Sequence, residues 1–470
     1  MKKNKDQASG DSREFRGFVK LAQSLVVGLL VLAQGVCAAE LRAGAAKRVI
    51  TPEVKLGARI FLAGFGNNRV ATGVHDDLYA RCLALSAGGK PVVLCGVDSI
   101  GLFLGDVQKI RERVTAAPVV VASTHDHEAP DTMGLWGPAM GVSGIDEQYN
   151  QFVVARVAEA ATEAVQAMKP ARLKLARYGG AELDGFIHDN RPPVVHDSEL
   201  VILSATGKDG RPIGTVVNWA NHPETLGSRN TEITADYAGY FYTRLEERLG
   251  GVAVLLIGAI GGLQSPLGAK VMDPATGQPA PDNSFRKAEL IGARVADLAA
   301  DAVVKSKPAG VKELAYSERP LRIPVSNAGY LMASKAGLFK GRKPMGADAG
   351  TSTVVGYLRL GPRSKPALEA ALVPGELYPE LSVGGVERLP GADFPEAPVE
   401  PALKKLMRAP YRMLVGLAND EIGYIIPKAE WDEKEPWLQN APKRWYGEVN
   451  SVGPEAGALI VRALRELIQR

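Results

Sequence analysis

Short apolar runs alternate with stretches of helical spacing along most of the chain, and that alternation sets the expected architecture. The run A-A-K-R-V-I-T-P predicts a first strand ending at Pro52. Val74–Leu85 and Pro91–Asp98 predict neighbouring strands joined by an A-G-G-K turn at Ala87–Lys90. A helix is expected over Val107–Val114, then the β-branched run opening Val119–Pro130, then an amphipathic helix over Tyr149–Met168 that stops before Pro170. Further strands are expected at Leu173–Arg177, Leu200–Ser204 and from Ile213 towards Thr225, with the Pro-rich stretch Phe186–Asp197 as a loop between them. Helices over Ala235–Leu249 and Lys287–Lys305 flank a buried strand that opens Val252–Gly268, and a strand is expected at Glu313–Pro324. Lys340–Gly350 reads as a loop and Pro454–Gln469 as a terminal helix. Such alternation predicts an α/β fold with mixed sheets flanked by helices. No composition shift marks a linker, so one large domain is expected.

Two strands end in histidines. Val119–Pro130 reads V-V-V-A-S-T-H-D-H-E-A-P. Side chains two apart in extended backbone share a face, so His125 and His127 are expected to point the same way at the strand exit. The run V-V-N-W-A-N-H-P repeats this grammar with His222. A catalytic metal site needs three or four N/O donors with one position left open. His125 and His222 are the best nitrogen donors because each follows a rigid strand, and Glu376, in P-G-E-L, is the best oxygen donor. His75 and His188 lie in polar surroundings suited to supporting such ligands, and His196 reads as an ordinary loop histidine. The glycines before Ser265 and Pro266 are expected to let backbone approach a ligand closely.

Composition narrows the setting. Residues 1–38 open with Lys2, Lys3, Lys5, Arg13, Arg16 and Lys20, continue with an apolar stretch and close on V-C-A, the pattern of a secretory signal peptide cleaved after Ala38; an uncleaved membrane anchor is the alternative. That segment holds six basic and three acidic residues, so removing it lowers the formal charge from +4 to +1. The rest of the chain has no basic excess with which to bind nucleic acid. Cys82 and Cys95 lie in apolar strands. A disulfide and two buried thiols both fit them.

Seven motifs occur in register along the chain: G-V-H-D-D-L-Y-A-R, A-S-T-H-D-H-E-A-P, D-N-R-P-P, V-N-W-A-N-H-P-E-T, G-G-L-Q-S-P, V-P-G-E and N-D-E-I-G-Y. Together, over roughly Ala43 to Gly457, they resemble the neutral/alkaline ceramidase family, secreted or periplasmic zinc amidases that cleave the amide of N-acylsphingosine. The resemblance implies Zn²⁺ held by His125, His222, Glu376 and Tyr424. It also implies His127 facing the substrate with Arg191 nearby, Ser265 orienting water or substrate, and Tyr446 as a second active-site tyrosine. The implied reaction is amide hydrolysis through a metal-activated water, with a lipid or small-molecule substrate and no nucleic-acid partner; a transient contact with a membrane surface is compatible with it.

The chain departs from the family in ways that bear on the substrate. H-T-H-S-G-P is H-D-H-E-A-P here, which is expected to make the pocket entrance more acidic through Asp126 and Glu128. G-D-V-S-P is G-L-Q-S-P, and no C-terminal immunoglobulin-like domain is expected. A wide apolar groove would favour ceramide or a related N-acylated lipid. A small polar pocket lined by Asp126, Glu128 and Arg191 would favour another amide, an ester or a carbohydrate-derived substrate on the same scaffold. A non-catalytic exported binding protein is the third reading.

Overall fold

Eight of the apolar runs join into one curled sheet. The computed structural model describes residues 40–470 apart from 55–58, 190, 263, 344, 346 and 347, so the expected signal segment lies outside the described residues. The sheet's strands are β1 (Leu41–Val49), β2 (Tyr79–Ala87), β3 (Val92–Val97), β4 (Val119–Ser123), β5 (Lys169–Gly179), β6 (Glu199–Gly207), β7 (Pro212–Trp219) and β8 (Val252–Ile257). They lie in the order β8-β7-β6-β5-β1-β2-β3-β4, and the short strand Pro308–Ala309 adds to β5.

The inner pairs are antiparallel, whereas the outermost pairs, β3/β4 and β7/β8, are parallel. A parallel pair needs a long crossover. Helix α1 (Leu104–Arg113) supplies one and α3 (Asp236–Leu249) the other. Each edge of the sheet is therefore a βαβ unit, with the carboxyl ends of its strands free to carry chemistry.

The two edges then meet. Gly96 in β3 passes so near β8 that a Cβ on it would lie 2.4 Å from the carbonyl oxygen of Leu255. The seam is closed from outside the sheet: Gly416 N–H donates to Ile257 O (2.9 Å), Asn419 N–H donates to Val121 O (2.6 Å), and the Asn419 amide oxygen accepts from Val121 N–H (3.0 Å). These closing residues follow a strand of a second sheet.

That sheet has the order β9-β10-β11-β13, from β9 (Leu314–Pro324), β10 (Gly350–Leu360), β11 (Leu368–Leu372) and β13 (Tyr411–Val415). Two short strands, β12 (Glu376–Leu377) and β14 (Tyr424–Ile425), pair in parallel beside it. The buried leucines of the two sheets share one core, including Leu83, Leu203, Leu358 and Leu372. Helix α2 (Glu147–Gln166), capped by Asp146, covers one outer face, and α3 with α4 (Phe285–Lys305) covers another. The terminal helix α6 (Ala456–Gln469) packs Ile460, Leu464 and Leu467 against the second sheet. The short helix α5 (Ala328–Lys335) buries none of its residues.

The expected mixed α/β class is the one observed. Strand β10 and helix α5, on either side of the predicted Lys340–Gly350 loop, are additions to the expected elements. Cys82 faces Cys95 across β2 and β3, and the two form a disulfide. A crosslink between residues 13 apart contributes about 3 kcal/mol in the loop-entropy account.

At the end of β3, Asp98 is fully buried and accepts from Tyr242 Oη–H and Tyr79 N–H, both at 2.8 Å. Burial pushes its carboxyl from 3.8 up to about 6 against the pull of Arg81. The folded protein thus holds a proton that the unfolded chain has released, so this group's contribution is full below pH 3.8 and is lost as the pH rises through about 6. Urea unfolding at pH 4.5 and 7.5 is expected to show wild type losing about 2–3 kcal/mol relative to Asp98→Asn over that interval. A pH-independent difference would contradict a raised Asp98.

Candidate metal centre

The four chain segments nearest the seam carry the polar groups. Beyond β4, Thr124 N–H donates to Val97 O and Asp126 N–H to Ser99 O. His125 sits between them with φ +63°, so this stretch is not the simple extended segment its spacing suggests. A left-handed residue turns the chain there, and the two histidines still converge: their ring centroids are 4.9 Å apart. His127 N–H donates to Pro223 O (3.0 Å), which ties this segment to the exit of β7. There Tyr237 Oη–H donates to Asn221 O (2.6 Å) and sets the turn that delivers His222.

His125, His127 and His222 are all buried, and one nitrogen of each lies within 4.8 Å of the others. The Nδ1–H of His125 donates to Ile100 O (2.7 Å), which leaves Nε2 as the free lone pair. That atom lies 3.4 Å from Glu376 Oε2, and His222 Nε2 lies 3.1 Å from the same oxygen. Donors held 2.0–2.1 Å from a tetrahedral ion stand about 3.3–3.4 Å apart. Both nitrogen–oxygen separations are therefore close to the spacing of a metal's ligands.

Glu376 reaches this place because Gly261 permits it. A Cβ on Gly261 would lie 2.8 Å from Glu376 O and 2.3 Å from the Tyr378 ring. The glycines after β8 thus admit a neighbouring strand of the protein, where the sequence suggests a ligand. Tyr424 is the register partner of Glu376 on β14, hydrogen-bonds to it, and lies 3.4 Å from the hydroxyl of Tyr446.

Burial lowers all three imidazoles below their ordinary range, His127 furthest, with neighbouring histidines adding to the effect on His125 and His127. The histidines are accordingly neutral, the form that binds a cation. Glu376 is pushed up by burial and held back by His125 and Tyr424. A buried carboxylate beside neutral imidazoles is short of positive charge.

These groups line a cavity of about 480 Å³ with Phe65, Trp136, Tyr330 and Ser265. It adjoins a groove of about 660 Å³ that shares Phe65, Leu135, Trp136, Tyr330 and Asn450. Two residues absent from the sequence reading also line the cavity. Glu224 lies 3.2 Å from His127 Nδ1, hydrogen-bonds to Ser265 and is raised by burial; Glu421 receives Gly423 N–H at 2.7 Å. The only sequence signal for Glu224 was its place two residues beyond His222.

Three expected positions lie elsewhere. Asp126 and Glu128 do not acidify the entrance, because they point into the core behind the histidines, Glu128 beside Arg69 (3.4 Å) and Asn230 (2.8 Å). Arg191 is buried and does not line the cavity. Its Nη2 donates to Glu448 Oε1 (3.0 Å) and Glu430 O (2.6 Å), and its guanidinium lies over the Tyr378 ring. Since Glu448 is two residues from Tyr446, this arginine anchors the segment that carries Tyr446. His188 pairs with Ser265 through backbone strand contacts, His75 stacks on Phe285, and His196 meets Asp184.

Gly64, with φ +92°, faces His127 so closely that a Cβ would lie 2.3 Å from the ring's Cγ. Gly64→Ala is expected to cost about 1–3 kcal/mol in urea unfolding and to shift the His127 ring resonances while those of His222 stay in place. Unmoved His127 resonances would show that the ring has room.

The fold is similar to that of a crystal structure of neutral ceramidase from Pseudomonas aeruginosa, with a TM-score of 0.70 and 18% identity over 92% of this chain and 75% of that one. It is also similar to a ceramidase complexed with C2, with a TM-score of 0.69, 17% identity and the same coverage. No protein-family model and no curated protein matches the chain. At this identity the likeness concerns architecture: the chain has a ceramidase-like mixed α/β fold, with three buried histidines that could hold a metal ion.

Proposed function

We propose that this chain is a zinc-dependent amidase acting on ceramide or a related N-acylated lipid. The observation that carries the reading is the convergence of His125 Nε2, His222 Nε2 and Glu376 Oε2 at 3.1–3.4 Å in a cavity that opens into an apolar groove. Tyr424 would complete the ligand set. A bound zinc ion supplies Lewis acidity at a carbonyl and lowers the pKa of water towards about 7.

The chain's own residues supply the rest. His127 Nδ1 faces Glu224 at 3.2 Å while Nε2 has no hydrogen-bond partner among the described residues, so Nε2 would hold or pass a proton at the substrate's amide nitrogen. The Tyr446 hydroxyl lines the cavity 3.4 Å from that of Tyr424 and would donate to the oxygen of a tetrahedral intermediate. Ser265 donates to Glu224 while its Oγ accepts from Leu267 N–H (3.0 Å), which suits an orienting group better than a nucleophile. The groove favours a lipid over a small polar substrate, because Asp126, Glu128 and Arg191 are not among the residues that line the cavity. Export to a periplasmic or extracellular setting fits the Cys82–Cys95 disulfide.

Elemental analysis is expected to find one zinc per chain, lost in His125→Ala and His222→Ala together with fatty-acid release from a fluorescent ceramide. Zinc without ceramide cleavage would redirect the substrate to other amides and esters, and absence of metal would end the proposal. Tyr446→Phe is expected to keep its zinc and lose roughly 10²-fold in kcat; an unchanged kcat would remove Tyr446 from the reaction.

A further inference from the structure

Charge in the histidine cavity is one-sided. Three carboxylates, those of Glu224, Glu376 and Glu421, line it, and among the described residues no lysine or arginine does. Glu376 is engaged by His125 and His222. Glu224 and Glu421 stand outside that set, and among the described residues neither is ion-paired to a lysine or arginine. Arg342, behind Glu421, pairs with Asp420 and donates to the Glu421 backbone carbonyl (2.9 Å) instead of its carboxylate. Even with a divalent ion on the histidines, the carboxylates exceed its charge by one.

Glu421 is the side chain this excess leaves most exposed to a ligand's charge. It is 2% exposed to solvent; its Oε1 accepts Gly423 N–H (2.7 Å), and its Oε2 has no hydrogen-bond partner among the described residues. A buried carboxylate oxygen without a donor is unfavourable unless a ligand supplies one. Its path is fixed by Gly101, on which a Cβ would lie 3.0 Å from Glu421 Cγ.

Position decides which half of a substrate these acids meet. Phe65, Leu135, Trp136 and Tyr330 continue from the cavity into the apolar groove, whereas Glu224 and Glu421 line the cavity alone. An acyl chain in the groove therefore leaves the amine half of the amide facing the two carboxylates. The rings of Phe65, Trp136 and Tyr330 bound the same space, and carboxylates beside aromatic faces are the groups that bind an alkylammonium.

We infer that Glu421, with Glu224, selects N-acyl substrates whose amine half carries a second, protonated nitrogen. The inference rests on the amidase reading and narrows it to N-acylated lipids with an ammonium group near the amide; ceramide, neutral there, is the poorer substrate. An alkylammonium has a pKa of about 10, so such a substrate keeps its charge at neutral pH.

The test compares N-(aminoethyl)octanamide with N-propyloctanamide, which has the same shape and a methyl group in place of the ammonium. The full-length wild type is expected to favour the first at least about tenfold in kcat/KM. Glu421→Gln is expected to lower that ratio about fivefold. The ratio is taken within one preparation, so loss of folded or metal-loaded protein does not move it. Should Glu421→Gln fail to fold, Glu421→Asp, which keeps the charge and withdraws it by one methylene, is expected to lower the ratio as well. The corresponding octanesulfonamides, which lack a hydrolysable amide, are titrated by calorimetry, and the ammonium form is expected to bind about tenfold more tightly to wild type. Equal kcat/KM for the two octanamides would overturn the inference and leave the amidase reading in place. A preference that persists in both Glu421→Gln and Glu224→Gln would also overturn it, by placing the cation elsewhere. Selective binding of the ammonium sulfonamide, lost in Glu421→Gln, with no hydrolysis of either octanamide would support the recognition and end the amidase reading.

Discussion

One carboxylate oxygen, Glu376 Oε2, stands 3.1 and 3.4 Å from two buried imidazoles, and the surrounding architecture exists to hold those three groups together. None of them is stable there alone. Taking a carboxylate and several histidines out of water is unfavourable unless positive charge or hydrogen bonds compensate. The protein provides part of the compensation through Ile100 and Tyr424 and leaves the rest to whatever binds between them. The strain of that arrangement falls on small residues: Gly261 makes room for the Glu376 strand, and Gly64 for the His127 ring.

Much of the framework was legible in the sequence because it depends on local pattern. The β-branched runs before His125 and His222 read as strands, and both are strands whose exits carry the expected residues. Glu376 stood out by its place in P-G-E-L, whereas Tyr424 could be singled out only through the family resemblance, since each lies on a two-residue strand too short to show periodicity. The rest depended on facts no local window contains. Alternation alone did not reveal that His125 is left-handed, or that Asp126 is buried and Glu128 is turned towards Arg69 and Asn230. Arg191 was expected near the substrate through the family resemblance; its carboxylate partner lies 257 residues away in Glu448.

The comparison structures share the arrangement of elements at identities near one in six. Conserved architecture at such distance is what layered packing predicts, since cores tolerate extensive exchange of apolar residues when volume and pattern are kept. The residues facing the cavity answer to a different constraint. Glu224, for one, lines the cavity beside His127.

The seam formed by Gly416–Asn419 has a consequence for how the molecule is made. Val121 and Asn419 are bonded across nearly three hundred residues, so the sheet's two edges stay open until the last quarter of the chain is available. Contacts of that sequence separation form late and slowly, because the closure entropy must be met before they stabilise anything. The histidines of the first half can be delivered early by their βαβ units, yet Glu376 cannot join them until β13 and its seam are in place. Assembly of the centre is therefore a report on complete folding, and a chain interrupted before Asn419 would present its histidines on an unclosed sheet.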